Sequence, residues 1–588
     1  MGTVSLGLFL SGCVAQPDGG ETGVNAAARP AVSLTRDAGD ISVFDGGAAS
    51  AALAASKAFF TSSPAAVVLA VPAPDVHAST DKLDESAETD ESAETDESAE
   101  PDEARTGAAA AAATGLGVPL LVVEPGNRVE ITAELERLGA DTVVTYETTA
   151  GTPADSWETV LAGRTGLPGP VDSEGFRSSL GLDTAPAEPG SLVSTVAEMA
   201  AGAELGVPGL PSDASDAAAA PGDAPAPSGS PASGTAALPD FDRAAEPVHA
   251  VVLASADPSS APAVATARAA GAKVRVVASE DPRADPETIA LLRSNRDGSI
   301  HAVGAGFGGQ ESFSATTAVA LDAAELPGGG QTIFPGRRFV ALYGHPGGAS
   351  LGVLGEQGVD ASIQRARETA AQYQPFSTEP VVPSLEIIAT VASAEAGEDG
   401  DYSAETPVKE LLPWVDAAEK AGVYVVLDLQ PGNSTFLDQA RLYEELLKRP
   451  HVGLALDAEW RLAPGQRHLE QIGSVDAAEI NETAAWLAQL TRDNVLPQKL
   501  LMLHQFNLAM IRNREQVNVG HRELALSLHA DGHGTPGEKL DTWNTLRAGL
   551  QPEILPGWKN FYDEDTPTLT PEQTFTDISP KPWFISYQ

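Results

Sequence analysis

The sequence predicts an α/β protein: N-terminal Rossmann-like parallel α/β modules followed by a (β/α)8 TIM-like barrel. Three observations lead there. The strand candidates are near-continuous apolar runs, as strands covered on both faces by helices must be. Each run is followed by a helical pattern, which is the order of a parallel sheet. Over the last ~250 residues, a usual size for such a barrel, eight runs follow one another and most end in polar side chains.

At 588 residues the chain exceeds one ordinary domain. Its formal charge is −46, and the run 84–103 alone holds 11 carboxylates and no base, leaving about −35 elsewhere. Such a surface argues against nucleic acid as a partner, because phosphate binding needs a basic face. It suits an extracytoplasmic protein kept soluble by self-repulsion. Cys13 is the single cysteine, so an intramolecular disulfide is excluded. It follows the short apolar stretch 6–10 and the pair Ser11-Gly12, and precedes a polar, Gly- and Pro-containing segment. This pattern is similar to the lipobox of bacterial lipoproteins. The resemblance implies a signal peptide over 1–13, acylation of Cys13 (palmitate-type) and anchoring on the outer face of the cell membrane. No later stretch has the roughly 20 apolar residues needed to span a bilayer, which leaves the Cys13 lipid as the expected anchor.

Residues 14–30 read as a tether and 31–210 as the first α/β module. In the module an Ala-rich helix follows Asp45-Gly46-Gly47, and Val67-Val68-Leu69-Ala70 forms a buried strand. Leu120-Leu121-Val122 and Thr142-Val143-Val144 are two more strands, with an amphipathic helix between them carrying Ile131, Leu135 and Leu138. The segment 84–104 repeats Glu-Ser-Ala-Glu-Thr-Asp; this density of like charge stays solvated. The Ala/Pro/Gly/Ser-rich stretch 211–240 is a flexible linker. A second module over 241–330 repeats the order, with strands at 250–254, 271–277 and 300–304. The Asp-Gly-Gly turn, the Val67–Ala70 strand, Gly117-Val118-Pro119-Leu120 and Leu138-Gly139-Ala140-Asp141 together resemble the type 2 cell wall-binding repeat of Gram-positive surface proteins. That resemblance implies noncovalent association with wall polymer. The loop Gly304-Ala305-Gly306-Phe307-Gly308-Gly309 has the wrong spacing, and follows the wrong strand, for a dinucleotide fingerprint; no cofactor is expected.

The barrel is predicted over 331–588, with strands at 339–345, 385–392, 423–430, 452–460, 499–505, 524–529, 557–561 and 583–587. Sites in such barrels lie at the C-terminal ends of the strands. Those ends carry Tyr343 and His345, Asp428 and Gln430, Asp457 and Glu459, His504 and Gln505, His529 and Asp531, Lys559, and Tyr587. A purely structural barrel has no need to gather charged and imidazole groups at one rim. Alternation places Gly453, Ala455, Asp457 and Glu459 on one face of the fourth strand, small and then acidic. A pair of carboxylates there fits acid–base chemistry, each raising the pKa of the other. Asp457-Ala458-Glu459-Trp460 is similar to the end of the strand-four motif of family-18 glycoside hydrolases. That resemblance implies Glu459 as the acid and Asp457 as its partner in orienting substrate; the remaining rim residues, by their convergence, are expected to bind substrate. Trp460, Trp558 and Trp583 are candidates to stack on sugar rings.

The expected function is therefore hydrolysis of cell-wall or other polysaccharide at the envelope. A non-catalytic wall-binding surface protein is the alternative. A metal-dependent phosphodiesterase, drawing ligands from His529, Asp531, His533 and His345, comes third; no metal is assigned. The chain has neither His-Glu-x-x-His nor Gly-x-Ser-x-Gly, so zincin chemistry and a serine nucleophile have no support.

Overall fold

A computed structural model describes residues 29–36, 39–71, 100–148, 155–210 and 237–588. Cys13, the tether to residue 28 and most of 84–104 and 211–240 lie outside the described residues. Among the described residues no helix is long and apolar enough to cross a membrane.

The C-terminal region is a closed barrel of eight parallel strands. They are β1 (Arg338–Gly344), β2 (Val381–Ala392), β3 (Tyr424–Leu429), β4 (Val452–Asp457), β5 (Lys499–Gln505), β6 (Leu524–Ala530), β7 (Leu555–Asn560) and β8 (Phe584–Tyr587). Each pairs with the next, and β8 returns to β1, which closes the sheet. All eight fall within a few residues of the runs read from sequence. One addition was not expected. β2 overshoots its neighbours and its end, Thr390–Ala392, pairs antiparallel with a short strand, Ser403–Glu405, at the rim. A register shift between Ile388 and Thr390 accompanies the overshoot.

Two faces of the barrel strands do different work. Outward residues such as Leu342, Val425, Leu427, Leu454, Leu456, Leu501 and Leu503 pack under the helices. Inward residues toward the N-terminal ends, including Phe339, Tyr424, Val426, Ala455, Leu500, Met502 and Phe584, form an apolar floor together with Phe334. Helices are local in origin. Val408–Ala421 ends at Gly422, whose φ of 66° is the left-handed cap that glycine supplies. Pro536–Arg547 opens with a capping box between Thr535 and Glu538. Ala477–Asp493 starts on Asp476, which accepts from the Ala478 N–H. The helix expected over 435–448 breaks at Tyr443 into Phe436–Leu442 and Glu444–Leu447.

The N-terminal region has two four-stranded parallel sheets. One runs Leu120–Val123, Ala65–Ala70, Thr142–Glu147, Thr165–Pro168. The other runs Lys273–Val276, Ala250–Ala254, Ser299–Val303, Ile41–Phe44. Sequence reading placed residues 41–44 within the first module, yet they form a strand on the edge of the second sheet, with Ser42 paired to His301. Between the sheets lie the helices Gly47–Phe59, Glu100–Leu116 and Ala261–Ala269. Their facing side chains are mostly alanine, which lets the backbones approach closely and merges the two halves into one core. Thr266 joins them directly: its hydroxyl donates to Leu120 O at 2.9 Å and accepts from Leu120 N at 3.1 Å. The helix Glu100–Leu116 begins inside the stretch 84–104, for which the charge density predicts solvated chain. The glycine loop at 304–309 wraps the Glu280 carboxylate, the acid occupying the space a Cβ at Gly306 would need.

Candidate active site at the barrel mouth

Above the apolar floor the barrel interior turns ionisable. β1 contributes Tyr343, β2 Glu386, β3 Asp428, β4 Asp457, β5 His504, β6 His529, β7 Lys559 and β8 Ser586, and all are buried. Asp531 follows β6. Strand alternation explains the set: each lies two residues beyond, or at the same parity as, an inward floor residue.

The contacts form one network. The Tyr343 hydroxyl donates to Asp428 Oδ2 at 2.9 Å. His504 lies between two acids, with Nε2 2.8 Å from Glu386 Oε1 and Nδ1 2.9 Å from Asp531 Oδ2. The other oxygen of Asp531 is 3.1 Å from Lys559 Nζ, and that ammonium sits 3.6 Å from the centre of the Tyr343 ring. His529 Nε2 is 3.2 Å from the Ser586 hydroxyl, and its Nδ1 is 4.0 Å from Glu386 Oε1. Asp457 Oδ1 accepts from the Glu459 N–H at 3.2 Å, capping the short turn Ala458–Trp460 that lifts Glu459 out of the strand. Among the described residues Glu386 Oε2, Asp428 Oδ1 and His529 Nδ1 are buried without a hydrogen-bond partner.

This crowding sets the protonation states. Burial, with Asp428 adding to it, pushes the Asp457 carboxyl well above the usual carboxylate range. Burial also pushes Asp428 up to about 6. Half-buried Glu459 is pushed up to about 7, by burial first and then by the Asp531 charge. For Glu386 burial acts in the same direction, but the His504 imidazolium outweighs it and holds the carboxyl low. Asp531 is likewise held low, burial being outweighed by Lys559 and then His504. Burial opposes charge on His504, yet Glu386 and Asp428 hold its pKa well above the ordinary value. His529 is pushed down to about 4 by burial and is neutral.

No family model, no curated protein and no solved structure matches this chain.

Of the rim residues expected from sequence, Tyr343, Asp428, Asp457, His504, His529, Asp531 and Lys559 converge in the interior network. Glu459 stands at its lip, beside a cavity of about 210 Å³ lined also by Trp460, Glu470 and Gln471. Gln430 is buried next to them, its Nε2 3.4 Å from the Tyr343 hydroxyl, while its Oε1 accepts from Ala392 N. Three expectations are corrected by position. Tyr587 points into the helix layer, its hydroxyl 2.5 Å from that of Tyr373, because Phe584 and Ser586 take the inward parity of β8. Gln505 follows inward His504 and so turns away from the interior; it donates to Asn507 O and accepts from Arg514. His345 leaves the barrel after Gly344, whose φ is 143°, and bonds Thr406 Oγ1 at 2.9 Å. The proposed ligand set His529, Asp531, His533 and His345 does not gather: His533 is exposed, with its ring edge-on to Phe561. Of the three tryptophans only Trp460 is at the mouth. Trp558 packs on Trp543 among the helices, and Trp583 lies at the floor under the Arg338 guanidinium.

Glu386 was missed by sequence reading. Its signal is a lone carboxylate in the otherwise apolar run Leu385-Glu386-Ile387-Ile388.

Proposed function

We propose that this chain is a hydrolase of envelope polysaccharide, with Glu459 as the proton donor and Asp457 as the group that positions it and the substrate. The observation that carries the proposal is where Glu459 stands. It is half-buried at the lip of a closed barrel, with open cavity on one side and a buried array of ionisable groups on the other. A carboxyl pushed up to about 7 is protonated often enough at neutral pH to deliver a proton and basic enough afterwards to take one back. Asp457 holds the Glu459 backbone through Oδ1, and in its neutral form has a hydroxyl to offer a substrate oxygen. Trp460, half-buried on the cavity wall, supplies an aromatic face of the kind sugar rings stack on.

The substrate class rests on the sequence. A lipobox-like Cys13 would hold the protein at the outer face of the membrane as a lipoprotein. Wall-repeat-like modules would bring it to wall polymer.

The test is turnover of purified wall glycans by the full chain and by Glu459→Gln and Asp457→Asn. Glu459→Gln should lower kcat by at least about 100-fold, the usual range for losing a general acid, with an intact far-ultraviolet spectrum. Activity should fall as pH rises through about 7. Unchanged turnover in Glu459→Gln, or no turnover by the parent chain on any wall glycan, would leave the non-catalytic wall-binding reading.

A further inference from the structure

The two histidines of the barrel network, His504 and His529, share a feature that proton donation by Glu459 does not use. One ring nitrogen of each is held by a side chain behind it, and the other faces the same carboxylate. His504 Nδ1 is held at 2.9 Å by Asp531, and Asp531 is itself paired with Lys559. His529 Nε2 is held at 3.2 Å by Ser586. The remaining nitrogens, His504 Nε2 and His529 Nδ1, lie 2.8 Å and 4.0 Å from Glu386 Oε1. One donor atom from each of the three residues falls within 4.8 Å of the others.

Two imidazoles and one carboxylate, with the far ring nitrogens fixed by hydrogen bonds, are the donor set of a divalent transition ion once the His504 proton is lost. Two ligands ~2.1 Å from one ion stand roughly 3.0–3.4 Å apart in octahedral or tetrahedral arrangements. The observed 2.8 and 4.0 Å bracket that span, so a small rotation of the His529 ring completes it. The unpartnered atoms point the same way. His529 Nδ1 and Glu386 Oε2 are fully buried, make no hydrogen bond, and belong to these same residues. Leaving such atoms unsatisfied is unfavourable, and metal coordination removes that penalty.

We propose that Glu386, His504 and His529 form a binding site for one divalent first-row transition cation, of the zinc type, inside the barrel mouth. The ion takes the place of the proton between His504 Nε2 and Glu386 Oε1; that proton is released to solvent. Asp531 and Ser586 orient the two imidazoles without touching the ion. The site is separate from Glu459, and ion content is read without turnover, so failure of either proposal leaves the other standing.

The experiment uses the full chain stripped by chelator and dialysed against zinc chloride, with metal content by mass spectrometry and affinity by calorimetry. One equivalent is expected. Glu386→Gln and His529→Gln should each weaken binding by at least about 100-fold, and Asp531→Asn by roughly 10- to 100-fold as a group that orients a ligand. Asp399→Asn, at the exposed member of the cluster with half-buried Asp401 and Glu405, should leave the equivalent in place. Because the buried variants can lose fold, cobalt loading of the parent chain provides a second reading: exchangeable ring N–H signals of two histidines should shift paramagnetically. Failure to bind zinc or cobalt overturns the proposal. So does stoichiometric binding that survives Glu386→Gln and is lost in Asp457→Asn, which would move the ion to the acids above.

Discussion

Lys559→Met probes the charge network most directly. Lys559 is 3 % exposed and is the ammonium facing Asp531 Oδ1 at 3.1 Å, with the Tyr343 ring on its other side. Methionine keeps the length of the stem and removes the charge. Breaking one side of a buried ion pair costs about 3–5 kcal/mol, chiefly because the remaining charge has no counterion. Here Asp531 keeps His504 at 2.9 Å, which argues for the low end. Loss of the ammonium over Tyr343 adds about 0.5–2 kcal/mol, not fully additive. We expect about 4 kcal/mol. For a domain of this size that lowers the barrel's Tm by roughly 8–16 °C at ~2–4 °C per kcal/mol. The assay is calorimetry on the full chain, with Lys448→Ala as control. Lys448 pairs with Glu444 on the surface, and its loss should cost under about 0.5 kcal/mol. The double variant Lys559→Met/Asp531→Asn should be less destabilised than the two single losses summed, since no uncompensated anion remains. A drop below about 1 kcal/mol for Lys559→Met, or additivity in the double variant, refutes the argument that Lys559 neutralises Asp531.

Two further outcomes follow from other parts of the barrel. Lys499, fully buried with Nζ donating to Arg449 O and Val452 O, is pushed down to about 7 by burial. Its ordinary value is 10.5, so between pH 7 and about 10 the unfolded chain binds the proton more tightly and stability rises with pH. Urea midpoints across that range should rise more steeply for the parent chain than for Lys499→Met. Gly453→Ala should cost about 1–3 kcal/mol as an overpacked interior site, measured by the same melts, because a Cβ there would come within 2.8 Å of Leu500 O and of the Tyr424 hydroxyl. An unchanged melting temperature would mean that β4 and β5 can part without cost.

The barrel was legible because its strands are apolar on both faces until their last residues. Val425 to Leu427 and Leu454 to Leu456 leave few alternatives to a strand under helices. For the same reason Asp428, Asp457, His504 and Lys559 stand out: each is a polar residue ending such a run. What sequence could not supply for every strand was parity and level. Phe584, Ile585, Ser586 and Tyr587 have no obvious inward set, and Tyr587 was placed on the wrong side. His504 and Gln505 were both read as rim groups, though neighbours in a strand face opposite ways. Glu386 escaped notice because β2 overshoots the rim by several residues, so a residue near the middle of its run is level with Tyr343. The edge strand at 41–44 had no local signal at all, since its partner lies 259 residues away.

That last pairing has a consequence for synthesis. At roughly 5–20 residues per second, Ile41–Phe44 leaves the ribosome some 13–50 s before Ser299–Val303 exists to receive it. Phe44 belongs against Phe59 and His301; until then it can meet only the first. The edge strand Ile41–Phe44 is thus locked only after translation has passed residue 303.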